Sequence, residues 1–340
     1  MNKLSKIGAS ALCGSLAAIS SASAGELTVT GGVDMSWISK ENNNTGNPIG
    51  IGSNLTFAGS GELDNGWSVA LSVADANGGV YSNTNVTVGV PGLGDFRITQ
   101  GVSGSGIDRM DDMTPNVWEE AYGTGLGHTI DTVSGVSGGS GIEFTPEGMT
   151  PDGLTARINW SPNAGGSGAG DKAGSGVSTT TGVKGGGWDL TLEATDALTG
   201  MAGLTVYGGI AKVSVDNGTA DHNTDADERT VGAKYAAGGF TLGYQWSEEE
   251  TGRATTATKY SNDGYGVTFA VNDDLSVGYN HYESEQSGTS TVTEEASSIQ
   301  IAYTMGGASI RLAESEGTNI GYSATAGSVD ATTLSVSLAF

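Results

Sequence analysis

Apolar and polar residues alternate with period two along most of this chain. In the last stretch, Asp330 to Phe340, the residues Leu334, Val336, Leu338 and Phe340 fall on one face, while Thr333, Ser335, Ser337 and Ala339 fall on the other. That is the pattern of a strand with one apolar and one polar face. The same alternation opens the chain: Leu27, Val29, Val33, Met35 and Trp37 oppose Thr28, Thr30, Asp34 and Ser36. After it, Ile51, Leu55 and Phe57 lead through the turn Asp64-Asn65-Gly66 to Trp67, Val69, Leu71 and Val73. An Asn-Gly between alternating runs is a strong hairpin signal. Further strands follow near Asn83–Val90, Asp95–Gln100, Gly141–Thr145, Leu154–Trp160, Trp188–Thr195, Leu204–Lys212, Thr230–Tyr235, Phe240–Ser247, Gly264–Val271, Leu275–Tyr282, Ser298–Met305 and Ala308–Ala313. The count is about sixteen, an even number suited to a closed antiparallel barrel.

The connections alternate as well. Short turns (Asp64–Gly66, Pro91–Gly94, Pro146–Gly153, Asp196–Gly203, Ala236–Gly239, Asn272–Asp274, Gly306-Gly307) interleave with longer polar loops. Those loops are Ser39–Gly50, Ala74–Ser82, Gly101–Ser140, Ser161–Gly187, Val213–Arg229, Glu248–Asp263, Glu283–Ser297 and Glu314–Val329. Short turns at one end and long loops at the other mark a transmembrane barrel, an asymmetry that a soluble sandwich has no reason to keep. Trp37, Trp160, Trp188 and Trp246 then fall at external strand ends, and Trp67, Tyr235, Phe240, Tyr303 and Phe340 at the opposite ends. Two such girdles are where interfacial aromatics sit.

The first 24 residues stand apart. Lys3 and Lys6 precede an apolar run from Ile7 to Ile19, and Ser21-Ala22-Ser23-Ala24 supplies a cleavage site, so residues 1–24 read as a signal peptide and 25–340 as the barrel domain. Cys13 is the sole cysteine and lies in the leader, which leaves the mature chain without disulfide or thiol chemistry. Removing Lys3 and Lys6 leaves 12 basic against 38 acidic residues, a balance of −26 that argues against nucleic acid as a partner. No apolar run outside the leader reaches the roughly 20 residues of a membrane-spanning helix, so a membrane protein of this sequence spans as a closed barrel.

The stretch Asn54–Val73, NLTFAGSGELDNGWSVALSV, with the terminal aromatic Phe340, resembles the second hairpin and the closing strand of the sixteen-stranded Gram-negative general porins, alphaproteobacterial type. The resemblance covers the whole mature chain. It implies a homotrimer of water-filled pores in the outer membrane, among lipid and lipopolysaccharide, each narrowed by the third external loop folded inward. It implies passage of small hydrophilic solutes, and recognition of the C-terminal strand by the barrel-assembly machinery through Phe340. The third external loop here is Gly101–Ser140, the longest, carrying Asp108, Arg109, Asp111, Asp112, Glu119, Glu120 and Asp131 around Trp118 and Tyr122. Related porins oppose such a loop with basic wall residues, and strand parity turns Arg97, Arg157, Lys234 and Arg311 inward here. Parity alone has its own reason, since a lipid-facing arginine costs about 2–4 kcal/mol at the midplane. Family members bind Ca²⁺ in this region, and Asp108, Asp111 and Asp112 are the candidates here, although no EF-hand spacing is present.

The expectation is a cation-preferring pore. Its selectivity should rest on Asp108, Asp111, Asp112, Glu119 and Glu120 in a narrow eyelet, rather than on Glu248–Glu250 and Glu294-Glu295 in screened outer loops. The alternatives are a substrate-selective channel, a non-conducting structural or adhesive barrel, and a secreted Ca²⁺-binding acidic protein. Catalysis finds little support: His128, His222 and His281 are scattered and no G-x-S-x-G occurs, so no enzyme is expected. Deleting Phe340 should slow arrival in the outer membrane, followed by pulse-chase fractionation, more than it lowers the stability of barrels once formed. Arrival at the wild-type rate would contradict the role given to the closing strand.

Overall fold

The structure, a computed structural model, describes residues 27–41, 46–76, 83–101, 103–164, 185–215, 224–254 and 257–339. The leader and Phe340 lie outside the described residues, as does His222. Among the described residues sixteen strands form one closed antiparallel sheet. They are β1 (Leu27–Lys40), β2 (Ile49–Glu62), β3 (Ser68–Ala76), β4 (Asn83–Val90), β5 (Gly94–Gln100), β6 (Ser140–Pro146), β7 (Leu154–Asn163) and β8 (Gly187–Ala194). Then follow β9 (Leu204–Val213), β10 (Ala226–Ala237), β11 (Phe240–Glu250), β12 (Lys259–Ala270), β13 (Leu275–Ser287), β14 (Val292–Met305), β15 (Ala308–Thr318) and β16 (Val329–Ala339). Each strand pairs with its neighbours in sequence, and β16 returns to β1 in a register running from Gly32 opposite Ala339 to Lys40 opposite Ala331. Closure leaves no edge, so every ladder N–H and C=O in the hydrocarbon layer has a partner.

The alternation read from the sequence is the alternation between lipid and lumen. Phe57, Leu71, Ile98, Ile158, Ile210, Leu242, Ile299 and Leu334 are exposed on the outside, whereas Thr99, Asn159, Thr191, Gln245, Asn280, Gln300 and Ser335 are buried within. Trp160 pairs with Trp188 across β7 and β8 on the outer face, and Phe240 stacks on Phe269 at the opposite end, 4.3 Å between ring centroids. The turn between β8 and β9 carries a single helical turn, α1 (Asp196–Thr199).

One boundary class differs from the sequence reading. The strands β10 to β15 run further outward, so that Glu248–Glu250, Glu283–Ser287 and Val292–Ser297 are strand rather than loop, and β13 and β14 are joined by residues 288–291 alone. The reason is that the apolar marker ends where the hydrocarbon ends, whereas the hydrogen-bonded ladder continues into water with polar residues on both faces.

The inside-outside assignment has a direct test. Ile158, half exposed to lipid, sits beside the inward Arg157. Ile158→Arg should destabilise the barrel by about 2–4 kcal/mol if residue 158 lies near the bilayer midplane, measured as reversible urea unfolding in lipid vesicles. An unchanged midpoint would refute the assignment.

Candidate functional site

The segment between β5 and β6 does not project outward. It enters the barrel and runs along the inner wall in two legs. On the outbound leg a 3-10 turn, Gly106–Met110, sets Ile107 against Val133 and Ala211 in a buried apolar cluster. Pro115 then lies over β11 and β12, where the wall residues facing it are Gly243 and Gly266. A Cβ on Gly266 would come within 2.0 Å of the Pro115 carbonyl oxygen, and one on Gly243 within 2.3 Å of its ring. Wall glycines make the room that lets this leg lie flat. Beyond it, Gln300 on β14 accepts the N–H of Trp118 at 3.0 Å and donates to the Glu119 carbonyl at 2.5 Å, while Asn280 on β13 donates to the same carbonyl at 3.2 Å. The far bend is held where Thr333 of β16 donates to the Thr124 carbonyl and Lys40 of β1 to that of Leu126. Tyr122 packs edge-on against Tyr282, 4.8 Å between centroids.

Four wall carboxylates, absent from the sequence-derived candidates, do most of the holding. Glu143 on β6 accepts the Gly106 N–H at 2.7 Å and the Arg109 guanidinium at 2.5 Å. Asp189 on β8 reaches both legs, accepting from Ile107 at 3.4 Å and from Val136 at 3.2 Å. Glu228 on β10 accepts the N–H groups of Ser134 and Gly135 at 2.6 and 2.7 Å. Glu294 on β14 accepts the Thr129 N–H at 3.1 Å and bonds His128 Nδ1 at 2.7 Å. Hydrogen bonds to a charged acceptor are worth about 1.5–3 kcal/mol each, so this set fixes the loop firmly. A signal for them existed: each is an acid at inward parity on a strand.

The sequence-derived candidates separate into groups. Asp111, Asp112, Glu119 and Glu120 follow one another along the outbound leg, with Asp112 exposed and the other three partly buried. Asp108 instead braces the loop itself, accepting from Gly104 N–H and from Ser137 Oγ. Asp131 stands on the return leg, where its backbone carbonyl receives Asn262. Asp108 is thereby engaged with its own loop, and among the described residues no group of three or more His, Cys, Asp and Glu side chains is arranged to hold a metal ion.

The four basic wall residues all face inward. Arg97 lies 4.0 Å from Glu143, which it shares with Arg109. Arg311 pairs with Asp34 at 3.2 Å, and Lys234 lies 6.0 Å from the Tyr207 ring centroid. The Arg157 guanidinium has a buried Nη1 with no hydrogen-bond partner among the described residues. Three carboxyls of the loop, Asp111, Glu119 and Glu120, are hard to ionise. Burial, reinforced by Asp112 and Asp108, pushes Asp111 up to about 8, and burial pushes Glu120 up to about 7. Burial also raises Glu119, opposed by Arg311.

Of the acids Glu248–Glu250 and Glu294-Glu295, Glu250 and Glu295 are exposed, whereas Glu248 and Glu294 are not screened loop acids. Glu248 is buried on the outer face of β11 between Arg229 and Lys259, and Glu294 is a wholly buried anchor of the inward loop. His281, at outward parity as the sequence implies, lies 3.3 Å from Glu283.

A sixteen-stranded barrel narrowed by a long third external loop is the geometry of a channel. The family model described as Gram-negative porin matches residues 8–340. The chain belongs to the Gram-negative porins. Among solved structures this porin is similar to OmpF of Salmonella typhi in complex with daunomycin, at a TM-score of 0.69 and 13% identity, covering 93% of this chain and 98% of that one. It is similar also to the anion-selective porin of Comamonas acidovorans, at a TM-score of 0.66 and 14% identity over 93% and 99% of the two chains. A loop L8 deletion mutant of OmpT of Vibrio cholerae aligns at 0.61 and 14% over 93% and 99%. No curated protein matches. The porin is therefore a β-barrel channel of the Gram-negative outer membrane, open to passive diffusion.

The close seat of the loop predicts an effect on flow. Gly266→Ala should force Pro115 toward the lumen and lower single-channel conductance in planar bilayers, with the barrel still running as a heat-modifiable band. Unchanged conductance would mean that this leg does not line the narrowest part.

Proposed function

We propose that the porin is a general diffusion channel for small hydrophilic solutes and ions, preferring cations. It works as a homotrimer among outer-membrane lipid and lipopolysaccharide, after export by a leader cleaved before Gly25 and insertion through Phe340 by the barrel-assembly machinery. The observation that carries the selectivity is the run Asp111, Asp112, Glu119 and Glu120 on one leg of the inward loop. Against it, the basic groups are largely spent: Arg97 and Arg109 share Glu143, and Arg311 faces Asp34. Arg157 and Lys234 remain to set a transverse field across the eyelet. Charges in a narrow lumen act on passing ions within about 10 Å, whereas charges on the outer surface are screened. Arg157 supports a second reading, a channel selective for anionic solutes that its guanidinium would hold, which saturable uptake would reveal.

Selectivity should depend on pH. Carboxyls whose pKa is raised are neutral on the acid side and gain charge as pH rises through that value, about 7 for Glu120 and about 8 for Asp111. Cation preference, read from reversal potentials under a salt gradient, should therefore strengthen between pH 6 and pH 9, and Asp111→Asn with Glu120→Gln should flatten the rise. Anion preference at pH 9 would reverse the weighting of loop acids over wall arginines.

A further inference from the structure

The return leg of the inward loop is not held by the wall alone. It is clasped by residues 319–328, the last external loop, which joins β15 to β16. Buried Glu294 is the junction. One carboxylate oxygen takes His128 Nδ1 at 2.7 Å and the Thr129 N–H at 3.1 Å, both of the inward loop. The other takes the N–H groups of Gly321 and Tyr322 at 3.0 and 3.2 Å, both of the external loop, besides the Thr129 hydroxyl at 3.2 Å. A second tie runs the other way: the Tyr322 phenol accepts the Asp131 N–H at 3.1 Å and bonds Ser284 Oγ at 2.7 Å.

The clasp holds the external loop in a conformation its sequence does not favour. Asn319, Gly321 and Tyr322 have φ of 52°, 72° and 51°. Glycine enters that region freely and asparagine tolerates it, but a tyrosine is held there against its preference. Asn319 supports the bend by donating to the Thr293 carbonyl at 2.7 Å, and the Tyr322 ring lies 5.2 Å from that of Tyr260. Just beyond, Ala324 and Thr325 are exposed at the external mouth. A strained segment thus spans an exposed surface and the backbone of residues 128–131.

We propose that the last external loop is a latch on the inward loop. Tyr322 and Glu294 transmit displacement of the exposed Ala324 and Thr325 to the return leg, and release of the latch lets that leg leave the wall and interrupt the pore. This rests on the inward loop being the constriction. Closed, the latch keeps the channel steadily open; the strained backbone at Tyr322 lets it spring away once the phenol or the carboxylate lets go.

The test uses the whole porin in planar bilayers. Tyr322→Phe removes only the hydroxyl, and its rate of closing at fixed voltage should rise about fivefold, the factor for the one hydrogen bond that ties it to the inward loop, with open-channel conductance unchanged. Streptavidin bound to a biotinylated cysteine at Ala324→Cys should alter closing kinetics, whereas the same load at Thr289→Cys, exposed between β13 and β14, should not. The tether pair stands in chains otherwise unaltered, so it decides the matter even where Tyr322→Phe fails to insert. Closing at the wild-type rate in Tyr322→Phe, or equal effects of streptavidin at the two positions, overturns the latch. Failure of the constriction reading itself shows elsewhere, as unchanged open-channel conductance in Gly266→Ala.

Discussion

A long loop turned into a barrel carries its peptide groups with it, and each one that leaves water must find a partner. The inner wall of this porin meets that demand with charged acceptors. Glu143, Asp189, Glu228 and Glu294 stand at intervals around the sheet, and backbone N–H groups of the loop converge on each. The arrangement turns a slack connection into a fixed partition of the lumen. It also decides which acids face the solute: those of the wall are consumed as anchors, and those of the outbound leg are left over.

The architecture was legible because the hydrocarbon layer imposes the period-two pattern directly. Outward residues such as Ile158 and Leu334 must be apolar, inward ones such as Asn159 and Ser335 need not be, and strand order follows from short turns alternating with long connections. Legibility ended at the membrane surface. Residues such as Glu283–Ser287 extend the ladder into water with no apolar partner face to betray it. Glu294 shows what that costs an interpretation. Carried one step further along β14, the parity of Ile299 and Ile301 would have placed it inside the barrel rather than among outer loop acids.

The site was legible as a segment and only partly as residues. Length and position singled out Gly101–Ser140, and parity turned Arg97, Arg157, Lys234 and Arg311 inward. Within the loop no periodicity fixes direction, so nothing in the sequence separates Asp108, which bonds its own loop at Ser137, from Asp112, which is exposed. The anchors carried a signal of another kind. An acid such as Glu143, set between Ile142 and Phe144 on a short strand, must face inward, and an inward acid close to the loop's departure is placed to receive it.

The paired charges on the outer face of β9 to β12 have a consequence for the bilayer. Lys212 with Asp225 and Asp227, and Arg229 with Glu248 and Glu250, begin at the level of Trp188 and Trp246, with Lys212 opposite Trp188 in the ladder and Arg229 5.9 Å from the Trp246 ring centroid. They act as a waterline. A thicker membrane cannot rise past them without immersing several ions at once, so on this side the lipid must thin to the barrel, since the sheet cannot sink to suit the lipid. The vertical position of the pore mouth is thus set by a handful of surface ions that never touch the solute.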